Sequence, residues 1–215
     1  RVLGKPRKFL FVTEHLKNLN KSLKIMSINT RIDKNFLETI IYPLFKINIY
    51  YDHLFRIAVS NNTISLSLRK RLTVKKKFKG ILISYQRKKW KLKHLQYNKI
   101  LSLLREINSQ SEEIILTKNN LILEGGTTNI LCVKNNAVFM PKSGYYFGTT
   151  LQFFIKHSKR RIIKKNITKT QLRKCDEILL VGSGKGVVAV GNIPQIYWHK
   201  KSNTVFNEFY RVYKS

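Results

Sequence analysis

The chain has 215 residues, of which 43% are hydrophobic and 11% aromatic, a composition that excludes intrinsic disorder and supports a buried core without disulfide or metal staples. Its 42 lysines and arginines against 11 acidic residues leave a net charge of +31, which favours anionic partners such as nucleic acid, lipid or phosphorylated small molecules without choosing among them. The two cysteines lie far apart without metal-ligand spacing, and no apolar run reaches the roughly 18 residues of a membrane span, so no metal site, membrane partner or disulfide framework is expected and a cytoplasmic location fits best.

Residues 1–90 are expected to form a small α/β lobe. An apolar spacing of three to four residues predicts a helix over 13–26, and Asp33 is the expected N-cap of a second helix whose end is disturbed by Pro43. Three strands follow in the prediction, at 54–60, 63–69 and 80–86. The segment Ser60-Asn61-Asn62 is typical of a hairpin turn between the first two of them.

The most basic stretch runs from Lys75 to Lys93 and has Phe78 and Trp90 among its cations. Runs of this kind form nucleic-acid platforms in some proteins, but no RNP, zinc-finger or helix-turn-helix pattern accompanies this one. A coding composition that favours lysine, isoleucine and asparagine is the preferred explanation of the charge. Residues 87–92 are interpreted as the link to a larger second lobe over 91–215.

The second lobe is predicted to contain short strands joined by Asn-rich turns, because asparagine tolerates the left-handed backbone that such hairpins need. A curled, barrel-like sheet is the expected result. The predicted helices cover 94–107, 150–157 and 169–174. The predicted strands cover 113–118, 121–124, 129–134, 137–140, 161–164, 178–182 and 195–198.

Two loops of this lobe are candidates for binding an anion. The run 182–186 (Gly-Ser-Gly-Lys-Gly) lacks the Ser or Thr that follows Gly-Lys in a Walker A loop and the third glycine of a dinucleotide fingerprint. Its backbone N–H groups and the Ser183 hydroxyl suit a phosphate, and a plain tight turn is an equal alternative. Gly148-Thr149-Thr150 precedes a predicted helix, whose first N–H groups suit an anion, although threonine is also an ordinary N-cap.

A resemblance rests on the order of five motifs along the chain: Lys93-His94-Leu95, Glu124-Gly125 with Asn129, Gly148-Thr149-Thr150, Asp176-Glu177 and Gly182-Ser183-Gly184. This succession resembles the class IV aminotransferases, the pyridoxal phosphate family that includes branched-chain and D-amino acid aminotransferases and aminodeoxychorismate lyase. Glu14-His15-Leu16 is similar to the family's N-terminal helix. The resemblance implies an α/β fold of two lobes with pyridoxal 5'-phosphate between them, usually in a homodimer.

The resemblance also implies a role for each matching residue. Lys93 matches the lysine that forms the Schiff base with the cofactor, and Glu124 matches the glutamate that pairs with the protonated ring nitrogen. Four residues match the phosphate cradle: Thr149, Thr150, Gly182 and Ser183. Two match positions that face the substrate carboxylate: Gly184 and, more loosely, Arg56.

The chain departs from the family pattern at several positions. Asn18 stands where the family has a phosphate-binding arginine, and Lys21, one turn later, could replace the charge but not the planar fork. Leu151 replaces the arginine usual after the Gly-x-Thr turn. The first strands of the family's N-terminal lobe, which hold substrate-pocket residues, are expected to be missing. The cofactor site is therefore better supported than the substrate site.

The expected function is that of an aminotransferase, which moves an amino group between an amino acid and a 2-oxo acid through the Schiff base on Lys93. Within the same family the alternative is aminodeoxychorismate lyase, which eliminates pyruvate and which Lys93-His94-Leu95 with Gln96 also resembles. Two further alternatives are a basic nucleic-acid-binding protein, which is not favoured despite the charge, and a folded but inactive member of the family.

Overall fold

The computed structural model describes residues 1–75 and 77–214, so Lys76 of the basic stretch lies outside the described residues. These residues group into two compact units. The first unit consists of Arg1–Leu72 together with Lys93–Leu95, and the second consists of Thr73–Leu92 together with the described chain from Gln96 onwards. The expected boundary between functional lobes at residue 90 stays a prediction.

The first unit contains a four-stranded antiparallel sheet in the order β2-β1-β3-β4. Its strands are β1 (Val2–Gly4), β2 (Lys8–Phe9), β3 (Tyr51–Val59) and β4 (Ile64–Lys70). Strands β3 and β4 confirm the predicted hairpin. Strands β1 and β2 were not predicted, because two or three residues are too few to show an alternating pattern.

Helix α1 (Val12–Ile25) confirms the first predicted helix. The second begins as predicted, since Asp33 Oδ1 accepts a hydrogen bond from the Phe36 N–H at 2.9 Å. It then changes type, from α2 (Lys34–Phe36) through a π-helical segment over 37–41 to a 3₁₀ turn over 42–44 that contains Pro43. One core cluster of the unit consists of residues from this segment and from strands β1 and β3: Val2, Leu37, Ile41, Phe45 and Tyr51.

The second unit contains a nine-stranded mixed sheet in the order β10-β9-β8-β11-β12-β5-β6-β7, with β13 paired to β12. Its first strands are β5 (Phe78–Ser84), β6 (Glu112–Lys118), β7 (Leu121–Gly125), β8 (Asn129–Lys134) and β9 (Ala137–Pro141). The others are β10 (Ile162–Lys165), β11 (Glu177–Gly182), β12 (Gly186–Ile193) and β13 (Trp198–His199). Strands β5 and β6, β5 and β12, and β9 and β10 pair in parallel, and the other neighbours pair antiparallel.

The Asn-Asn turns of this sheet are confirmed. Asn119, Asn120, Asn135 and Asn136 all have positive φ angles, between 48° and 63°. One strand prediction was wrong, because residues 194–196 form a 3₁₀ turn and the strand there comprises only two residues, β13. Strand β12 was missed, since the glycines at its start had suggested a loop alone.

The second unit has four helices among its described residues: α3 (Asn98–Arg105), α4 (Thr149–His157), α5 (Lys169–Arg173) and α6 (Thr204–Lys214). The prediction for α3 began four residues too early, and α6 was missed. Helix α6 packs Val205 and Phe209 into a core cluster that also includes Phe154 of α4. Within the part of the chain that is described, no helix combines the length and the apolarity needed to cross a membrane.

Candidate active site

Glu124 is a buried carboxylate near the end of β7, with its side chain 2% exposed. The Arg87 guanidinium donates two hydrogen bonds to this carboxylate: Nε lies 2.8 Å from Oε1 and Nη2 lies 2.6 Å from Oε2. The Tyr146 backbone N–H donates to Oε2 at 3.0 Å. Because charge-assisted bidentate pairs are strong and directional, this arrangement fixes the carboxylate in place.

Arg87 has no local sequence signal of a site residue and lies in the stretch interpreted as a link. In the structure Arg87 instead forms an ion pair with Glu124, and its side chain is only 12% exposed. Burial also raises the pKa of the neighbouring Tyr146 phenol, against the smaller opposing effect of the Arg87 charge. The phenol is therefore neutral at physiological pH, and the charges described at this end of the site are those of Arg87 and Glu124.

Asn129 organises the segment that leads into helix α4. Its Nδ2 donates to the Tyr146 carbonyl at 2.6 Å, and its Oδ1 accepts from the Gly148 N–H at 3.2 Å. A Cβ atom added to Gly148 would lie 2.6 Å from that Oδ1. Only glycine therefore permits this close approach, and Gly148 is the N-cap of α4.

The start of α4 and the end of β11 form a candidate anion cradle. Thr149 and Thr150, the first residues of α4, are 4% and 1% exposed. The hydroxyl of Thr150 lies 3.4 Å from that of Ser183, which follows Gly182 at the end of β11. Helix-start N–H groups beside two hydroxyls are a donor set that suits a phosphate group.

Lys93 belongs to the first unit, where it lies beside helix α1. Its backbone N–H donates to Ser22 Oγ at 3.4 Å. Burial lowers the pKa of His15 on the same helix to about 4, and the positive charge of Lys93 contributes to this shift. The Lys93 side chain is exposed, whereas its neighbour His94 is buried. How Lys93 lies relative to Glu124 stays a prediction, since the two residues are in different units.

Comparison with known proteins identifies the family. The family model for class IV aminotransferases matches residues 2–193. The chain belongs to the class IV aminotransferases. No curated protein matches it by sequence.

Solved structures of class IV aminotransferase relatives confirm the α/β fold. A Legionella pneumophila protein described as a 4-amino-4-deoxychorismate lyase matches with a TM-score of 0.81 at 18% identity, over 99% of this chain and 88% of that one. The branched-chain aminotransferase of Thermoproteus uzoniensis, solved with norvaline, matches with a TM-score of 0.78 at 14% identity, over 99% and 79%. A hypothetical aminotransferase from Mycobacterium tuberculosis in its PLP-bound form matches with a TM-score of 0.78 at 13% identity, over 99% and 86%.

Two departures from the class IV pattern have visible surroundings. At Asn18, where the resemblance implies a phosphate-binding arginine, the backbone carbonyl accepts a hydrogen bond from Ser22 Oγ at 3.0 Å, and Ser22 Oγ accepts the Lys93 N–H at 3.4 Å. Leu151, where the resemblance implies a second arginine, is 1% exposed and packs in the core cluster of α4 and α6. Its side chain therefore contributes buried apolar contact to the unit.

The carboxylates of the Asp176-Glu177 motif bind groups of the protein itself. The Asp176 carboxylate accepts from the Asn135 N–H at 2.8 Å and pairs with Lys134 at 3.0 Å. The hydrogen bond from Asn135 is the main reason that the pKa of Asp176 is lowered. Glu177 accepts the backbone N–H groups of residues 205 and 206, the first turn of α6, at 2.9 and 2.8 Å.

The two predicted substrate positions lie in separate units. Arg56 is exposed on β3, opposite Ser67 of β4. Gly184 lies in the loop that joins β11 to β12. Their predicted role toward a substrate carboxylate stays a prediction.

Proposed function

We propose that this class IV protein is a pyridoxal phosphate-dependent aminotransferase that moves an amino group between an amino acid and a 2-oxo acid. The observation that supports it most is the buried Glu124, held by Arg87 and the Tyr146 N–H within one unit that also carries the Thr150 and Ser183 cradle. The solved Mycobacterium tuberculosis relative is a PLP-bound form.

The residues described fit the two polar ends of this cofactor. A pyridinium N–H needs a hydrogen-bond acceptor, and the Glu124 carboxylate, oriented by Arg87, is one. A phosphate needs several donors, and the start of α4 with the hydroxyls of Thr150 and Ser183 provides them. When bound, pyridoxal phosphate supplies an aldehyde and an electron-withdrawing ring that stabilises negative charge next to the substrate α-carbon.

Residues of this chain would bind the ring and the phosphate of the cofactor. Glu124 would hold the ring by accepting its N–H, and Arg87 would keep that carboxylate oriented. Four residues would bind the phosphate: Thr149, Thr150, Gly182 and Ser183.

The family match assigns the reactive amine to Lys93. Its Nζ would take the proton from the α-carbon of the amino acid as a general base, and would give a proton to the α-carbon of the incoming 2-oxo acid as a general acid. Arginine cannot replace it, because a guanidinium stays protonated and is not a nucleophile.

The test is covalent capture of the cofactor. Wild-type protein mixed with pyridoxal phosphate should turn yellow, and borohydride should fix the cofactor on Lys93, identified by mass spectrometry of the peptide. Lys93→Arg should bind without capture and should lose amino transfer. The matched control is Lys91→Arg, an exposed lysine two residues away, which should behave as wild type. Capture at other lysines in Lys93→Arg, or a colourless wild type, would contradict the proposal.

A second candidate within the family is aminodeoxychorismate lyase. It is favoured by the likeness to the Legionella protein, with a TM-score of 0.81, and by Lys93-His94-Leu95-Gln96. Pyruvate released from aminodeoxychorismate, measured against amino transfer to a 2-oxo acid, separates the two.

The homodimer comes from the resemblance and the cytoplasmic location from the cysteine content, and both stay proposals. Light scattering of the purified protein tests the first. Nucleic acid binding is suggested by the charge alone, and it would weaken steeply with added salt.

A further inference from the structure

The loop 182–186 carries Ser183 of the anion cradle, and its lysine points into the protein. Lys185 Nζ lies 2.9 Å from Glu113 Oε2 and 3.2 Å from the Glu112 carbonyl oxygen. It also lies 4.7 Å from the centroid of the Phe78 ring. The Lys185 side chain is 10% exposed and that of Glu113 is fully buried. The lysine of this Gly-Ser-Gly-Lys-Gly run therefore directs its charge to a protein carboxylate.

Glu113 joins this loop to a second one. Its Oε2 also accepts the hydroxyls of Thr127 at 2.6 Å and Thr128 at 3.3 Å, while Oε1 accepts the Ile114 N–H at 3.2 Å. Thr127 and Thr128 belong to the turn that follows Glu124. One carboxylate on β6 thus holds both the turn after the ring-binding glutamate and the loop of the phosphate cradle.

The two loops also pack directly against each other. A Cβ atom on Gly182 would lie 3.1 Å from the Thr127 carbonyl oxygen and 3.2 Å from Thr128 Cγ2. Little room is left for either loop to move independently. The ion pair between Glu113 and Lys185 connects the same two loops.

A buried ion pair of this kind is costly to desolvate and is stable only when each charge has all its hydrogen-bond partners. Glu113 and Lys185 meet that condition through the contacts above. Removal of one partner leaves a buried charge, whereas removal of both leaves none. This difference makes the pair testable by a double-mutant cycle.

We propose that Lys185 is a positioning residue: its ion pair with Glu113 holds the loop 182–186 against the turn 125–128, so that Ser183 stays beside Thr150, and its ammonium group is not a ligand of the phosphate. The identity of the anion rests on the proposed function. The positioning itself does not, because it is a property of the protein without cofactor.

The experiment uses the full chain in four forms: wild type, Lys185→Met, Glu113→Gln, and the double variant. The first readout is amide hydrogen exchange without cofactor. Peptides covering 182–187 and 126–129 should exchange about tenfold faster in each single variant, and helix α4 should be unchanged. The matched control is Lys79→Met, which breaks the adjacent exposed pair with Glu112, 3.3 Å long, and should leave both loops protected.

The second readout is the dissociation constant of pyridoxal phosphate divided by that of pyridoxal, which isolates the phosphate. Both single variants should weaken phosphate-dependent binding by about tenfold. The double variant keeps no unpaired buried charge and is expected to fold. Its two loops should still exchange fast, and its phosphate-dependent affinity should equal that of Lys185→Met.

Two results would overturn the positioning role. One is unchanged exchange of both loops in the double variant. The other is a phosphate-dependent affinity that falls in Lys185→Met but stays the same or rises in Glu113→Gln, as expected if Lys185 bound the phosphate itself. A wild type that binds no pyridoxal phosphate would refute the proposed function, and the exchange data would still decide the positioning role.

Discussion

The ion pair between Arg87 and Glu124 predicts a large loss of stability when the arginine is removed. In Arg87→Met the Glu124 carboxylate keeps its place, 2% exposed, but loses two charge-assisted hydrogen bonds of 2.8 and 2.6 Å. Breaking a buried pair in this way typically costs about 3–5 kcal/mol. For a chain of this size that corresponds to a fall in melting temperature of about 6–20 °C.

Tryptophan fluorescence suits the measurement, because both tryptophans, Trp90 and Trp198, belong to the second unit. The matched control is Arg160→Met. Its partner Glu208 lies at the same distance, 2.6 Å, but the two side chains are 29% and 30% exposed. A pair so open to solvent is expected to contribute about 0–1 kcal/mol.

If Arg87→Met and Arg160→Met lower the unfolding midpoint equally, the buried pair contributes no more to stability than the more exposed one, contrary to this prediction. A second variant guards against an unrelated effect of the methionine. Adding Glu124→Gln to Arg87→Met removes the buried charge, so part of the lost stability should return.

Three further predictions concern His15, Thr168 and Asn129. The pKa of His15 is lowered to about 4 from about 6.5 in an unfolded chain. The unfolded state therefore binds more protons between these two pH values, and stability falls as the pH drops through this window, by up to about 3 kcal/mol. An NMR titration measures the pKa, and His15→Gln should flatten the pH dependence of stability, whereas the exposed His199→Gln should not. Thr168→Ala should lower the free energy of unfolding, measured by chemical denaturation, by about 1 kcal/mol, because Thr168 and Gln171 form a capping box at α5. Thr168→Ser should retain the capping hydrogen bond and the stability. An equal loss of stability in both variants would contradict the capping role. Asn129→Ala should lower the free energy of unfolding by about 1–3 kcal/mol. It should also weaken pyridoxal phosphate binding, because the Gly148 N–H before α4 loses its hydrogen bond to Asn129. An unchanged affinity in an absorbance titration would contradict the predicted effect on binding.

Several elements were predictable because their signals are local. The Asn-Asn pairs at 119–120 and 135–136 adopt the left-handed backbone that asparagine tolerates, and the hairpins follow. Asp33 caps its helix through its own side chain. These signals need only a few neighbouring residues, so no knowledge of the rest of the fold is required.

The missed elements have different causes. Helix α6 carries an apolar spacing at Val205, Phe209 and Val212 that could have been recognised. The start of its backbone is capped by Glu177, 28 residues away from Val205, which no local pattern reveals. Strand β12 is hidden by its glycines, and pairing with β11 and β5 defines it.

The order of the motifs along the chain was enough to place it in its family, because each motif is a short run whose residue types and spacing are read directly from the sequence. The sequence could not say which of 42 cations are buried. Arg87 reaches Glu124 across 37 positions and Lys185 reaches Glu113 across 72. An ion pair becomes buried only when distant strands bring its partners together and exclude water around them, so only the tertiary structure could select these two among so many similar side chains.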